Sequence, residues 1–219
     1  MAMGLANAPA SFQRSMDVVL AGLKWTCCLI YIDDVLIYSS SWEEHLVHLR
    51  QVFTRIALHQ LYVKPDKCTV GFTTTTYLGH LVSEHGLKPL TKHLDAVRNF
   101  PLPQSKTHLK SFLGLTSYYR SFIGNYARIS APLRKLLPAA VPANIAPLWD
   151  EKCCEAFELL KTALTTAPIL AYPDWTRSFT LQTDASGDGL GAVLKQGDNV
   201  IAYLSRCLSP AEAKLAVRQ

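Results

Sequence analysis

Apolar positions along the chain change their period several times, and each change marks an element. The segment TCCLIYIDDVLIYSS, residues 26–40, sets two runs rich in β-branched and aromatic residues on either side of two acids. That pattern predicts strand, tight turn, strand, with Asp33 and Asp34 at the tip. From Trp42 to about His59 apolar residues recur every three or four positions, a helical period with Trp42, Leu46, Leu49, Phe53 and Ile56 as its inward stripe. CTVGF at 68–72 and TYLGHLVS at 76–83 read as a second strand pair, and Gly86 marks its exit.

Past Lys88 the pattern turns helical, punctuated by prolines at 89, 101, 103, 132 and 138. The clearest helix is predicted from about Thr107 to Ile123. Its apolar face is Leu109, Phe112, Leu113, Tyr119, Phe122 and Ile123, opposite Lys110 and Arg120. PAAVPANIAP at 138–147 predicts a loop, and Asp150 caps a further helix to about Leu164 with Glu151 in its first turn. Strand patterns return in SFTLQTD, GAVLKQ and VIAYLSR, the last two joined by a Gly-Asp-Asn turn. Ser209-Pro210-Ala211-Glu212 then has the form of a capping box that starts a helix. So few turns remain before the last residue that this module is expected to be cut within an element. The class is mixed α and β, in the α+β sense, without internal repeats.

Composition narrows the possibilities. At 219 residues and 49% hydrophobic the chain can bury a core, in one or two domains. The longest apolar run, CCLIYI, stops at the two aspartates, far short of the roughly 20 residues that span a bilayer. No basic stretch followed by an apolar one opens the chain, so a secretory leader and a membrane role are not expected. Six cysteines at 27, 28, 68, 153, 154 and 207 show no Cys-x-x-Cys spacing, which points to buried thiols in a reducing, intracellular protein rather than zinc ligands or disulfides. Charge is uneven: between Lys88 and Lys135 nine basic residues face one acid, a local +8 in a chain whose total is +5. Such a block is either a phosphate-backbone contact surface or a solvated helical face.

Adjacent aspartates at a hairpin tip also admit two readings. Asp favours turns and solvates well there. Two acids pinned between apolar strands also repel unless cations neutralise them, as hard oxygen ligands do for paired Mg²⁺ ions roughly 3.5–4 Å apart in phosphoryl transfer.

Here a resemblance becomes specific. LIYIDDVLIYSSSWEEHLVHL resembles the Tyr-x-Asp-Asp hairpin and following helix of reverse transcriptases from gypsy-type long-terminal-repeat retrotransposons. MGLANAPASFQRSMD precedes it as that family's pocket segment does, and LYVKPDKC, TYLGHLVS, SFLGLTSYYRSFI, APLRKLL and FTLQTDASGDGLGAVL follow in the family's order. The resemblance implies a partial polymerase palm at 1–87 (an antiparallel sheet with helices), a helical thumb at 88–137, a connection at 138–175 and a truncated RNase H-like sheet at 176–219. It implies Asp33 and Asp34 as polymerase carboxylates and Asp184 as the first RNase H carboxylate, all three metal ligands, with two Mg²⁺ ions in each complete site. Met3, Gly4, Asn7, Pro9, Gln13, Tyr31 and Lys67 fall in the nucleotide and template pocket, and Tyr77, Leu78 and Gly79 at the primer grip. Lys106, Lys110, Arg120 and Arg128 fall where the thumb meets nucleic-acid backbone. Tyr118, Tyr119 and Phe122 either stack on nucleic acid or, as helical spacing suggests, pack in the core. Glu212 reads as a capping residue, with the family's catalytic glutamate expected beyond Gln219.

The implied partners are an RNA/DNA template–primer duplex and deoxynucleoside triphosphates. Departures from the pattern are Ala2-Met3 in place of Pro-Phe, Leu215 in place of tyrosine and Gln219 in place of an acid. A third polymerase carboxylate would lie upstream and further RNase H acids downstream, so the 219 residues alone are expected to be inactive. The competing expectation is a reused remnant that only binds nucleic acid.

Overall fold

The computed structural model describes residues 4–187, 189–209 and 211–212, and the chain divides into two compact units, 1–73 and 74–219. Ala2, Met3, Leu215 and Gln219 lie outside the described residues. The architecture mixes helices with three small antiparallel sheets, as the α+β pattern predicts.

In the first unit, helices α1 (Ala8–Val19) and α2 (Trp42–Leu58) pack with a hairpin of β1 (Cys28–Tyr31) and β2 (Asp34–Ile37). Met16, Leu20, Cys28, Ile30, Val52 and Ile56 form its core. Each such buried aliphatic side chain contributes about 1.5–3 kcal/mol of transfer free energy. Helix α2 starts where Ser41 Oγ accepts the Glu44 N–H at 3.2 Å and the Glu44 carboxylate accepts the Ser40 N–H at 2.7 Å.

The inward face of α2 is not the predicted one. Trp42, Leu46 and Phe53 are 54%, 48% and 41% exposed, and only Ile56 of the five expected residues is fully buried. The helix is rotated by roughly 60° from the apolar stripe. His45 and His48 turn inward instead, both ring Nδ1 atoms meeting Ser39 Oγ, at 3.2 and 2.7 Å. Polar anchoring at the exit of β2 thus overrides the apolar period.

The second unit begins with a sheet of β3 (Thr74–Tyr77), β4 (His80–Ser83) and β5 (Gly86–Pro89). CTVGF is not a strand: Gly71 adopts φ +76° under the Trp42 ring, breaking the run, and the threonines that follow pair with β4. Nor does Gly86 mark an exit, since it opens β5. Its φ is +127°, and a Cβ would meet the Leu170 carbonyl oxygen at 2.2 Å. That closeness allows Leu87 and Leu170 to exchange backbone hydrogen bonds of 2.8 and 3.0 Å.

Four helices follow: α3 (Thr91–Arg98), α4 (Lys106–Tyr118), α5 (Tyr126–Arg134) and α6 (Glu151–Thr165). Helix α4 ends five residues before Ile123 and a 3-10 turn, Arg120–Phe122, takes over. All six residues of its predicted apolar face are nevertheless buried. Phe112 lies at the centre of this core, its ring centroid 4.5 Å from Phe157 and 5.3 Å from Phe100. Asp150 caps α6 as expected, accepting the Cys153 N–H at 2.8 Å, and the Cys153 side chain, then that N–H, lower the Asp150 pKa. Asp150→Ala should therefore destabilise the helix start, read as a lower urea midpoint at unchanged slope.

The last sheet runs β6 (Thr180–Ala185), β7 (Gly189–Gln196) and β8 (Asn199–Cys207), all antiparallel, and is tied to α5 where the Ala127 N–H donates to Ser205 Oγ at 3.1 Å. Beyond it, the Glu212 N–H donates to Ser209 Oγ and the Ser209 N–H to the Glu212 carboxylate, the reciprocal pair of a capping box. The two terminal guanidinium nitrogens of Arg206, Nη2 and Nη1, also donate to Glu212, at 2.8 and 3.1 Å. Arg206 first, then Ser209, hold the Glu212 carboxyl down at about 2, against an ordinary 4.5. A depressed carboxyl stabilises the fold fully above its ordinary pKa, and that contribution fades as the pH falls toward 2. Carbon-detected titration of Glu212 should place its midpoint well under 4.5, and Arg206→Gln should raise it.

Candidate active-site hairpin and nucleic-acid surface

Tyr31 pairs with Asp34 at the end of the first hairpin, leaving Ile32 and Asp33 as its two-residue turn. Asp33 and Asp34 are exposed, and so is Tyr31, at 53%. Ile32 takes φ +51°, the left-handed region that β-branched residues avoid. A specific contact accompanies it: the Ile32 N–H donates to Gln13 Oε1 at 2.6 Å. Gln13 stands on α1, so the pocket-like segment and the acidic turn meet directly. Its Nε2 donates to Asp17 Oδ1 at 3.1 Å, and Lys24 Nζ reaches the same oxygen at 2.6 Å. Lys24 and then Gln13 lower the Asp17 pKa.

Gly4, at φ +93°, Asn7 and Pro9 lead into α1, all exposed, with Pro9 in its first turn where a missing N–H costs nothing. Met3 lies outside the described residues. Lys67 ends the 3-10 turn Pro65–Lys67, exposed, with no hydrogen bond or ion pair to Asp33 or Asp34 among the described residues.

Within the second unit, Leu78 and Gly79 form the β3–β4 turn, both left-handed at φ +45° and +69°, after the half-buried Tyr77. The hydroxyl of Tyr118 donates to the Leu78 carbonyl at 2.7 Å, and that of Tyr119 donates to the Gly79 carbonyl. His80 Nδ1 lies 2.7 Å from the Leu78 carbonyl, and His93 Nδ1 lies 2.6 Å from the Tyr119 hydroxyl. Burial raises the Tyr119 pKa, so it stays a donor. Tyr119 and Phe122 are core residues and Tyr118 is half-exposed, so of the three only Tyr118 offers a ring to solvent.

Lys110, Arg120 and Arg128 are exposed; Lys106 instead donates its ammonium to the carbonyls of Pro138 and Val141, pinning the proline-rich loop. Asp184 lies on β6 opposite Gly191, exposed, at the edge of a hollow of about 10 Å³ that Asn125, Arg128, Ser186 and Ser205 also line. A Cβ on Gly191 would come within 2.7 Å of Asn125 Oδ1, so a larger residue there needs the Asn125 amide to shift. Sequence reasoning placed Asp184 and Arg128 in different modules without foreseeing that they share this hollow. It also missed Asp17 and Lys24, although the four-residue spacing of Gln13 and Asp17 on one helix was visible.

Among the described residues no cluster of three or more His, Cys, Asp or Glu gathers. The hairpin tip fits a divalent cation on other grounds. Mg²⁺ is commonly held by one or two carboxylates, with waters and substrate phosphates completing its octahedron, and Asp33 and Asp34 supply that pair of hard donors at an open tip.

Two family models match: the reverse transcriptase (RNA-dependent DNA polymerase) model over residues 1–82 and the RNase H-like domain found in reverse transcriptase over 149–219. Among curated relatives, the retrovirus-related Pol polyprotein from transposon 297 of Drosophila melanogaster is 41% identical over 97% of this chain and 20% of its own length. The gypsy Pol polyprotein of the same organism is 34% identical over 99% of this chain and 22% of its own. The chain thus spans about a fifth of the length of these relatives. Among solved structures, the foamy viral protease-reverse transcriptase in complex with double-stranded DNA matches with a TM-score of 0.83 at 26% identity, over 96% of this chain and 37% of that one. Its complex with an RNA/DNA hybrid matches at 0.83 and 25%, over 98% and 29%. No described helix is long and apolar enough to cross a membrane. With both family models in order along it and Pol polyproteins of gypsy-type transposons matching nearly its whole length, the chain belongs to the reverse transcriptase family, in the region that joins the polymerase to its RNase H-like domain.

Proposed function

We propose that these residues work within an RNA-directed DNA polymerase that also carries an RNase H module. In this reading residues 1–87 belong to the palm, 88–137 to the thumb, 138–175 to the connection and 176–219 to the RNase H-like domain. The observation that carries it is the 2.6 Å bond from the Ile32 N–H to Gln13 Oε1, because it seats the acidic turn against the segment expected to hold template and nucleotide. Asp33 and Asp34 would hold Mg²⁺, which supplies charge neutralisation for the nucleotide's phosphates during transfer. The rigid hairpin keeps both carboxylates at one tip, and Gly4, Asn7 and Pro9 border the approach beside Gln13. Tyr77, Leu78 and Gly79 meet the primer end. Lys110, Arg120 and Arg128 take up backbone phosphates of an RNA/DNA duplex, a contact that reads shape and weakens with salt. Asp184, with Arg128 across its hollow, is the RNase H carboxylate. With two polymerase carboxylates and no third beside them among the described residues, the 219-residue chain alone is not expected to polymerise.

The test is a graft. These 219 residues replace the matching segment of the transposon 297 polyprotein, and extension of a DNA primer on an RNA template is followed with deoxynucleoside triphosphates and Mg²⁺. Extension supports the polymerase reading. A folded graft that binds the primed template in a salt-sensitive way without extending it overturns that reading in favour of a nucleic-acid-binding remnant.

A further inference from the structure

Gln13 presents its carbonyl oxygen, not its amide nitrogen, to the Ile32 N–H, and a glutamine alone has no means of choosing. The two ends of a side-chain amide have the same shape and opposite hydrogen-bonding character. The choice is made one residue further back. An ionised Asp17 is acceptor-only, so it must receive the Gln13 Nε2 donor at 3.1 Å. Lys24 is donor-only and donates to that same Asp17 Oδ1 at 2.6 Å. Polarity then runs in one direction: ammonium to carboxylate, amide nitrogen to the same carboxylate, and amide oxygen to the backbone N–H of a β-branched residue at φ +51°. Such a backbone persists where its surroundings over-determine it. A flipped Gln13 would set donor against donor at Ile32 and remove that support.

From this geometry we infer that Asp17 and Lys24 are positioning residues of the polymerase hairpin. They orient the Gln13 amide so that Ile32 stays left-handed and Asp33 and Asp34 remain aimed as a cation-binding pair. The inference rests on the polymerase reading of that pair and adds what keeps the pair in place. Neither residue touches a reactant, and their effect reaches the tip only through Gln13.

The experiment uses the 219-residue chain and two readouts by NMR. One is exchange of the Ile32 amide, with the buried Leu20 amide, which donates to the Met16 carbonyl at 3.0 Å just past α1, as the control for folding. The other is broadening of the Asp33 and Asp34 amides by manganese(II) chloride. In Asp17→Asn the new amide can donate or accept, so Gln13 is free to flip. Loss of one net hydrogen bond at Ile32 should speed its exchange about tenfold. A partly populated competent turn should weaken the apparent manganese affinity by about threefold. Both changes, with Leu20 unaltered, are the expected result. Unaltered Ile32 exchange in a folded variant overturns the inference, and so does faster Ile32 exchange with manganese binding unchanged, which would leave the relay a purely structural contact. Should Asp17→Asn not fold, Asp17→Ser, whose hydroxyl likewise can donate or accept, takes its place with the same two readouts and the same criteria. Asp33→Asn tests the underlying reading separately: if it leaves manganese broadening as in the unaltered chain, the cation role of the tip fails whatever Asp17 does.

Discussion

Asparagine at position 33 is expected to cut RNA-templated nucleotide addition by about a thousandfold or more in the grafted polymerase. The argument is electrostatic. A metal ion stabilises several kcal/mol of developing phosphate charge, and at about 1.4 kcal/mol per decade of rate that amounts to three or more orders of magnitude. Asp33→Asn keeps the shape of the turn and removes a full negative charge from a donor pair that has no third carboxylate beside it among the described residues. Asp34→Asn should act alike, since Asp34 pairs with Tyr31 across the same tip. Initial rates of extension under saturating primer–template separate the effect from duplex binding, which the basic helices would supply unaltered. Extension within tenfold of the parent would remove the acidic tip from the chemistry.

Phe112→Ala should produce the largest loss of stability in the chain, about 3–5 kcal/mol. Phe112 is fully buried between Phe100 and Phe157, and its neighbours on α4, Leu109 and Leu113, are themselves buried at or near zero exposure. Such a site cannot collapse around a missing ring, so the transfer loss and the cavity cost both fall on it. Equilibrium urea unfolding followed by α-helical circular dichroism should show the midpoint fall with little change in slope, and Phe112→Leu should recover much of it. A loss under about 1 kcal/mol would mean that the second core is far looser than its ring distances imply.

The legible parts of the fold were those in which one local rule acts alone. The two apolar strands around an acidic tip, the Asp150 cap and the buried face of α4 each follow from period or capping chemistry, and the structure has all three. Where two rules compete, apolar period gives the wrong answer. On α2 the ring nitrogens of His45 and His48 turn toward Ser39 and rotate the helix, and in CTVGF a left-handed Gly71 outweighs the strand propensity of its neighbours. At the candidate hairpin, residue identity singled out Asp33, Asp34 and Gln13, and the structure brings Gln13 to the turn that carries the two acids. The relay through Asp17 to Lys24 was out of reach because the last link spans the turn after α1, where period says nothing about side-chain reach. The hydroxyls of Tyr118 and Tyr119 were hidden likewise: helical spacing tells which ring is buried, not which carbonyl its oxygen finds.

That pair of hydroxyls has a consequence for synthesis. The left-handed turn at Leu78 and Gly79 is held by partners 40 residues later in the chain. During translation, at about 5–20 residues per second, the turn therefore emerges seconds before anything can clasp it. Until Tyr118 and Tyr119 leave the ribosome, Leu78 is free to relax toward negative φ, and a pause between residues 79 and 119 would lengthen the interval in which β3 and β4 can mispair.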